Sequence, residues 1–558
     1  MARIDSQLLF LTTSPRTPGK MIPEIGLLVK HFAGKHWNSE TQCAFMDILR
    51  EEQFFNGKGE KDPAFSARDR INRAPKSFGF VVLSPQISIT SAGQALLTSK
   101  RKEEVFLRQM LKFQIPSPYH KPTAKAASFW VKPYLELLRL VRTMGTLKFD
   151  ELQIFGMQLT NWNNFENIVQ KIETFRVAKI RNRGSYKTFK AEYLRNELTR
   201  IFEERIINGE TQTRESNDAS LDKFLRTQSS NMRDYADACF RYLRATGLVN
   251  VSHVGKSLSI VPERIEDVDY ILQTIDRNPC FVNSEQDYIH YLGDAAVPQL
   301  LTDDRQRLIA KLHTEFPQVV FNQEAEISEL KDLLADLTEQ KKTETLSRQV
   351  VEIKDYKLYD DIQNTFKQIE NKELYDAPLM LEWNTWRAMT MLDGGDIKAN
   401  LNFDDFGKPL SNAQGNMPDI VCDYGNYILI VEVTMAHGQK QYEMESEPVS
   451  RHLGKIKKAS RKPCYCLFIA PTINEACIAH FYALHHTNIS YYGGKSSIIP
   501  LPLDIFRKML EDSYKASYIP NSHQIRCFLE RSNELVKTCK NEIQWFEDIK
   551  KSAVNWFI

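Results

Sequence analysis

Met417-Pro418-Asp419-Ile420-Val421-Cys422-Asp423-Tyr424-Gly425-Asn426-Tyr427-Ile428-Leu429-Ile430-Val431-Glu432-Val433-Thr434 is the stretch that decides the fold. From Tyr427 to Val433 it is apolar except for one carboxylate, the pattern of a strand buried on both faces. Gly425-Asn426 supplies a tight turn, so Ile420-Val421-Cys422 pairs with Ile428-Leu429-Ile430 as an antiparallel hairpin, which brings Asp419 beside Glu432. A carboxylate buried without a partner is costly, and two held side by side repel unless a cation lies between them. Farther on, Glu445-Ser446-Glu447-Pro448-Val449-Ser450-Arg451-His452 adds acids and a histidine. Few, hard oxygen ligands next to room for phosphate suit Mg²⁺ better than Zn²⁺.

The chain around this segment is 558 residues long and 42% apolar, enough for three or more domains each with its own core. No run of 18 or more apolar residues occurs, and Met1-Ala2-Arg3-Ile4-Asp5 lacks the regions of a signal peptide, which predicts a soluble cytoplasmic protein with no membrane partner. Nine cysteines are scattered without a CxxC pair, and Cys464 and Cys466 alternate along an expected strand. Buried thiols are expected, and neither zinc ligands nor disulfides.

The net charge of +2 conceals an asymmetry. Residues 1–260 carry 40 Lys+Arg against 26 Asp+Glu, and residues 261–558 carry 33 against 45, so the halves stand at about +14 and −12. A basic half suits a polyanion, of which nucleic acid is the obvious one, while an acidic half holds cations or stays off the polymer. Within the basic half a loose repeat of helix, helix and β-wing recurs. The first copy takes Glu40 to Leu49, Ser66 to Asn72, and a hairpin of Phe80 to Leu83 with Ile87 to Ile89, followed by a helix from Ser91. A second begins at Pro133-Tyr134-Leu135, turns at Gly145 and continues at Phe149-Asp150-Glu151-Leu152. A third takes the amphipathic segment Tyr235 to Leu243, the stop Thr246-Gly247-Leu248, and a wing of Leu248 to Val251 with Leu258 to Ile260. These are winged-helix patterns, which present one helix to the major groove and a wing to the backbone.

Arg68, Arg70, Asn72 and Arg73 fall on or beside a helix of the first copy. Arginine bonds guanine bidentately and asparagine reads adenine, while phosphate contact or a solvated face is the plainer role of each arginine. Between Thr174 and Lys190 stand six basic residues, Arg176, Lys179, Arg181, Arg183, Lys187 and Lys190, with no acid and with Tyr186 and Phe189 interleaved. Two readings stand together there, a phosphate-contacting arm and a surface helix that breaks at Gly184. From Glu324 to Lys372, Leu, Glu, Lys and Gln recur at helical spacing, as in Ile327-Leu330-Leu334-Leu337, which predicts one or two long spacer helices. The acidic half opens with Ala377-Pro378-Leu379-Met380-Leu381-Glu382-Trp383-Asn384-Thr385-Trp386-Arg387, a helix started by Pro378 that carries Glu382 with Trp383 and Trp386 as packing residues. Asp393 and Asp396, beside Gly394-Gly395, are expected to shape a turn. Tyr491, Tyr492, Trp545 and Trp556 are expected in the core.

Pro418-Asp419 followed by Glu432 resembles the PD-(D/E)xK nucleases. Glu432-Val433-Thr434, the string Met444 to His452, and Cys466-Leu467-Phe468-Ile469-Ala470-Pro471 are similar to the AlwI-type group of type IIS restriction and nicking endonucleases, with supporting likeness at Ser14-Pro15-Arg16 and Ala64 to Arg70. The resemblance implies that Glu382, Asp419, Glu432, Glu445 and His452 line an active site, that Asp419 and Glu432 hold Mg²⁺, and that duplex DNA is hydrolysed a few base pairs from a short asymmetric site. Arg16, Arg68, Arg70, Asn72, Arg73, Arg181 and Arg183 are the candidate DNA contacts. Thr434 stands where the general motif has lysine, which moves the handling of the attacking water to Glu445 and His452, with Lys455 as a nearby cation. Glu445 and His452 are seven apart, one helical face, but Pro448 points to a helix start between them.

The fold expected is a multidomain α/β chain: winged-helix-like DNA-recognition domains over 1–135 and 136–300, a helical linker over 301–374, and a restriction-endonuclease-like α/β/α cleavage domain over 375–558. One constellation serves one strand, leaving three arrangements open: a transient homodimer, a heterodimer with a second cleavage subunit, or nicking. Two rival functions are a DNA-binding regulator with a degenerate nuclease-like domain and a structure-specific repair nuclease.

Overall fold

The computed structural model describes residues 2–52, 55, 62–213, 216–392, 395–404, 406–412, 415–516, 522–554 and 556. The chain forms two compact units, Met1–Glu51 with Gly57–Asp336, and Glu52–Asn56 with Leu337–Ile558. Among the described residues no helix is long and apolar enough to cross a membrane.

In the first unit, α1 (Ser39–Glu51) packs on α2 (Pro63–Asn72), whose start is set by Pro63 and by the Asp62 carboxylate accepting the Phe65 N–H at 2.9 Å. A short antiparallel hairpin follows, β1 (Val81–Val82) with β2 (Ser88–Ile89), and the Thr90 hydroxyl caps α3 (Ser91–Thr98). Next come α4 (Pro133–Met144), β3 (Thr146–Lys148), α5 (Phe149–Ile154), α6 (Phe165–Arg181), α7 (Tyr186–Ile201), α8 (Leu221–Arg244), β4 (Val249–Ser252) and β5 (Ser257–Ile260). Strand β3 pairs with β5, giving one sheet of order β3-β5-β4. The second and third copies expected from the sequence are therefore a single body, in which α6 and α7 are inserted between α5 and α8. Periodicity marks each strand but says nothing about which distant strand it pairs with.

Helix α9 (Ile327–Lys354) spans the division between the units. The second unit contains α10 (Tyr359–Glu370), α11 (Ala377–Leu392), β6 (Asp396–Ala399), β7 (Ile420–Asp423), β8 (Ile428–Val433), α12 (Gln439–Ala459), β9 (Cys464–Ala470), α13 (Glu475–His486), β10 (Ile498–Pro502), α14 (Leu503–Lys515), α15 (Ser522–Thr538) and α16 (Glu542–Val554). Its five-stranded sheet runs β10-β9-β8-β7-β6, with β8, β9 and β10 parallel and β7 antiparallel to both neighbours. The hairpin has the expected register, Ile420 opposite Val431 and Cys422 opposite Leu429. Gly425 takes φ +82°, and its N–H donates to the Asp423 carboxylate at 2.8 Å. All of β8 is buried, Glu432 included.

Helix α11 packs with α10 and α14, α12 with α13, and α16 touches α13, α14, α15 and the edge strand β10, which covers that edge. Trp383, Trp386, Trp545 and Trp556 are buried in this core, and Tyr492 packs against it. Tyr491 is not a core residue: it is 59% exposed, turned outward on a 3-10 turn whose carbonyl accepts from Lys458. All nine cysteines are free.

Pro448 does not start a helix; it lies inside the 21-residue α12. An interior proline costs about 3 kcal/mol, offset here by the buried face of Gln441, Ser446, Val449, Ser450, His452 and Leu453. Asp396 likewise opens β6 rather than shaping a turn, paired with Lys398 at 2.7 Å, and Asp393 lies outside the described residues.

Gly454 marks the tightest approach on α12, because a Cβ there would lie 2.8 Å from the Tyr492 Cα. Gly454→Val should destabilise the protein by about 1–3 kcal/mol through overpacking. Urea denaturation checks this, and an unchanged midpoint would contradict it.

Candidate active site

Asp419 immediately precedes β7 and Glu432 lies near the end of β8, so the hairpin register sets them side by side. Each also binds the other's strand: the Asp419 carboxylate accepts the Val433 N–H at 2.9 Å, and the Asp419 N–H serves Glu432. Burial raises the pKa of both well above the carboxylate range, and the Glu432 charge pushes Asp419 up further. Glu445 adds to the repulsion on both, and its own pKa is raised by burial. From α11, Glu382 joins them; burial raises its carboxyl well above normal, reinforced by Asp419, Asp376 and Glu432. The Asn412 amide donates to Glu382 Oε2 and holds it in place.

His452 Nδ1 lies 2.8 Å from Glu432 Oε1. Burial lowers its pKa to about 4, with Arg451 and Lys455 pushing the same way, so the imidazole is neutral near neutral pH. With Glu432 ionised, as it is when it holds a cation, Nδ1–H donates to it and Nε2 keeps its lone pair. The five residues predicted from the sequence therefore converge, drawn from one strand, the residue that leads into its hairpin partner, and two helices.

Thr434 has a positive role. Its hydroxyl donates to Glu445 Oε1 at 2.7 Å and accepts the Ala436 N–H at 3.0 Å, so the position of the absent lysine fixes the orientation of an acid. Gln441, fully buried, donates to the Ala436 and Thr472 carbonyls and accepts the Asn474 N–H, fastening the start of α12 to the loops after β8 and β9. Sequence reasoning missed Asn412 and Gln441: a lone polar residue at the end of a short strand or on an amphipathic helix carries no signal of its partner. Thr434 was visible only as a departure. Lys455 donates to the Asn416 carbonyl at 3.3 Å rather than to a site carboxylate.

No group of three or more His, Cys, Asp or Glu side chains among the described residues is already gathered as a cation cage. The donor set nevertheless fits a divalent cation, since Asp419 and Glu432 are buried oxygen ligands that repel each other, and two carboxylates with solvent and phosphate are a typical Mg²⁺ complement.

In the first unit the predicted DNA contacts sort differently. Arg68 donates to Gln42 at 2.8 Å, Arg70 pairs with the buried Glu24 at 2.7 Å, Asn72 accepts the Trp37 indole N–H at 2.9 Å, and Arg73 pairs with Asp69. Arg16 is 71% exposed and shares Asp237 with Arg241. Arg181 and Arg183 are exposed at the end of α6 and in the loop beyond it.

A family model described as AlwI restriction endonuclease matches residues 76–509. The chain belongs to the AlwI restriction endonuclease family. Membership makes it a DNA hydrolase, in a class that generally uses a divalent metal. Solved structures similar to it include the small subunit (R.BspD6I2) of the heterodimeric restriction endonuclease R.BspD6I, 25% identical, covering 35% of this chain and 98% of that one with a TM-score of 0.30. The BpuJ1 endonuclease binding domain in complex with pyrene- and phenanthrene-modified DNA is 15% identical over 49% of this chain and 92% of that one, TM-score 0.31. Restriction endonuclease FokI bound to DNA is 12% identical over 93% of this chain and 92% of that one, TM-score 0.22. No curated protein matches the chain. Membership rests on the family match, which spans most of this chain.

Because the native pKa values of Asp419 and Glu432 are raised, the stability they contribute is full below the ordinary carboxylate range and is lost as pH rises through the raised native values. In EDTA at pH 8, Asp419→Asn should therefore melt higher than the parent, and the difference should shrink as pH falls towards 5. A parent that melts higher than Asp419→Asn at pH 8 would contradict the electrostatic assignment.

Proposed function

We propose that this AlwI-family chain is a Mg²⁺-dependent type IIS endonuclease that reads a short asymmetric duplex site and cuts a few base pairs away. The observation that carries the proposal is the convergence of Asp419, Glu432, Glu382 and Glu445 with a neutral His452 at one end of the second unit's sheet. The recognition elements are assigned to winged-helix-like domains over 1–135 and 136–300, the linker to 301–374 and cleavage to 375–558, in a cytoplasmic protein. Arg16, Arg68, Arg70, Asn72, Arg73, Arg181 and Arg183 are the DNA contacts proposed; their internal partners would have to be exchanged for DNA at Arg68, Arg70, Asn72 and Arg73.

Asp419 and Glu432 would hold the Mg²⁺, which when bound supplies Lewis acidity to the scissile phosphate and to the attacking water. His452, neutral and held at Nδ1 by Glu432, would accept the attacking water's proton at Nε2. Glu445, oriented by Thr434, accepts a hydrogen bond from the water and fixes its line of approach. Glu382, held by Asn412, flanks the cation side. One such set serves one strand, so a double-strand cut needs a second copy or a partner cleavage subunit, and a lone chain nicks.

Plasmid incubated with the protein and Mg²⁺, with ends mapped by run-off sequencing, should show discrete cuts at a fixed offset from one sequence, lost in Asp419→Ala. Random nicks would instead indicate a repair nuclease, and retained cutting by Asp419→Ala would overturn the site. Thr434→Val should lower kcat by about tenfold to a hundredfold, the worth of a hydrogen bond to a charged group, with little change in KM. Steady-state cleavage of a duplex carrying the mapped site measures this, and an unaltered kcat would remove Thr434 from the mechanism.

A further inference from the structure

The six basic residues between Thr174 and Lys190 divide into two sets. Near the loop end of the α6–α7 pair, on the side facing α5, Arg176 forms a bidentate bridge to Glu151 at 2.8 Å, and Lys190 and the Tyr186 hydroxyl both bond to Asp150. Lys171 and Arg200 converge on Glu197, and Arg195 pairs with Asp222 on α8. Aromatic packing locks the two helices together, with Phe175 stacked on Phe189 at 5.5 Å and edge-on to Tyr193 at 4.9 Å. Towards the tip, Lys179 lies over the Tyr186 ring at 4.3 Å, and the loop is set by Asn182, whose side chain bonds both the N–H and the carbonyl of Gly184. Arg181, Arg183 and Lys187 are exposed there, with no hydrogen-bonding or ionic partner among the described residues.

We propose that the tip of the α6–α7 pair is a phosphate-contacting arm that grips duplex DNA without reading its sequence, through Arg181, Arg183 and Lys187. Asp150 and Glu151 are engaged by Arg176, Tyr186 and Lys190, which ties the pair to α5, and no acid stands in the sequence between Thr174 and Lys190. Three exposed cations on a stiff hairpin, with the neighbouring Asn182 amide spent on Gly184 rather than free to read base edges, match the backbone of a polyanion. The insertion of the pair between α5 and α8 places it in the same body as the β3-β5-β4 sheet, so its register is fixed by that fold. Ile180, 83% exposed between Lys179 and Arg181, is the feature that would suit a protein partner instead. Charge outweighs it. The inference rests on the reading of the chain as a DNA-cutting enzyme.

The test is binding of the full chain, in EDTA, to fluorescent duplexes with and without the mapped cleavage site, over about 50 to 200 mM salt. The triple variant Arg181→Ala, Arg183→Ala, Lys187→Ala should bind both duplexes more weakly by the same factor, about 10- to 100-fold, and its log–log salt slope should be shallower by about three. Circular dichroism and melting should match the parent, because none of the three bonds to the fold. A variant with parental affinity and slope would overturn the arm while leaving the nuclease reading intact. Parental protein that binds neither duplex would overturn both. Loss of self-association in sedimentation at an unchanged salt slope would overturn the arm in favour of a protein interface.

Discussion

Mutual repulsion among carboxylates set into a buried strand end is the constraint on which the second unit depends. Glu432 is 5% exposed on a strand that is otherwise apolar, and Asp419 is held next to it by the register of a hairpin. Left alone, such a pair opposes folding whenever it is ionised. The surrounding structure works against that cost: reciprocal backbone N–H donation, a neutral histidine on Glu432 and a threonine on Glu445 satisfy the carboxylate oxygens without adding a fixed positive charge. A site so arranged orients its carboxylates by hydrogen bonds and supplies no fixed cation among them, which suits a mobile divalent ion better than a lysine.

That balance explains the shape of the rest. Helix α12 continues through Pro448 because its buried face must carry Glu445 and His452 to the same strand end, and Gln441 fastens its first turn to two loops. Helix α11 brings Glu382 from another direction, and Asn412 restrains it. In the first unit charge is used differently. Acids such as Glu24, Glu104, Glu136 and Glu151 are engaged in bridges that fix helices, and Arg181, Arg183 and Lys187 at the end of the α6–α7 pair are among the cations of the described residues that are in none.

Much of the site was legible in the sequence because its parts are local. The Gly-Asn turn and the apolar run fix the hairpin, and the hairpin alone determines the Asp419–Glu432 pair. The long helices around 327–370 and the helix carrying Glu382 follow from spacing and from Pro378. What escaped is what depends on distant contacts. The pairing of Thr146–Lys148 with Ser257–Ile260 merged two expected repeats into one body, and no periodicity could announce it. Pro448 reads as a helix boundary by local propensity, which ignores the packing that overrides it. Arg70 and Asn72 look like base readers in sequence, yet their partners Glu24 and Trp37 are far away along the chain and visible only in the fold.

The central claim is that the strand-end carboxylates form a cation site. Titrating the full chain with Mn²⁺ at neutral pH, followed by water proton relaxation or electron paramagnetic resonance, tests it most directly. The account predicts a saturable class of bound ion in the parent that disappears in both Asp419→Asn and Glu432→Gln. Equal binding by the parent and the two variants would contradict it.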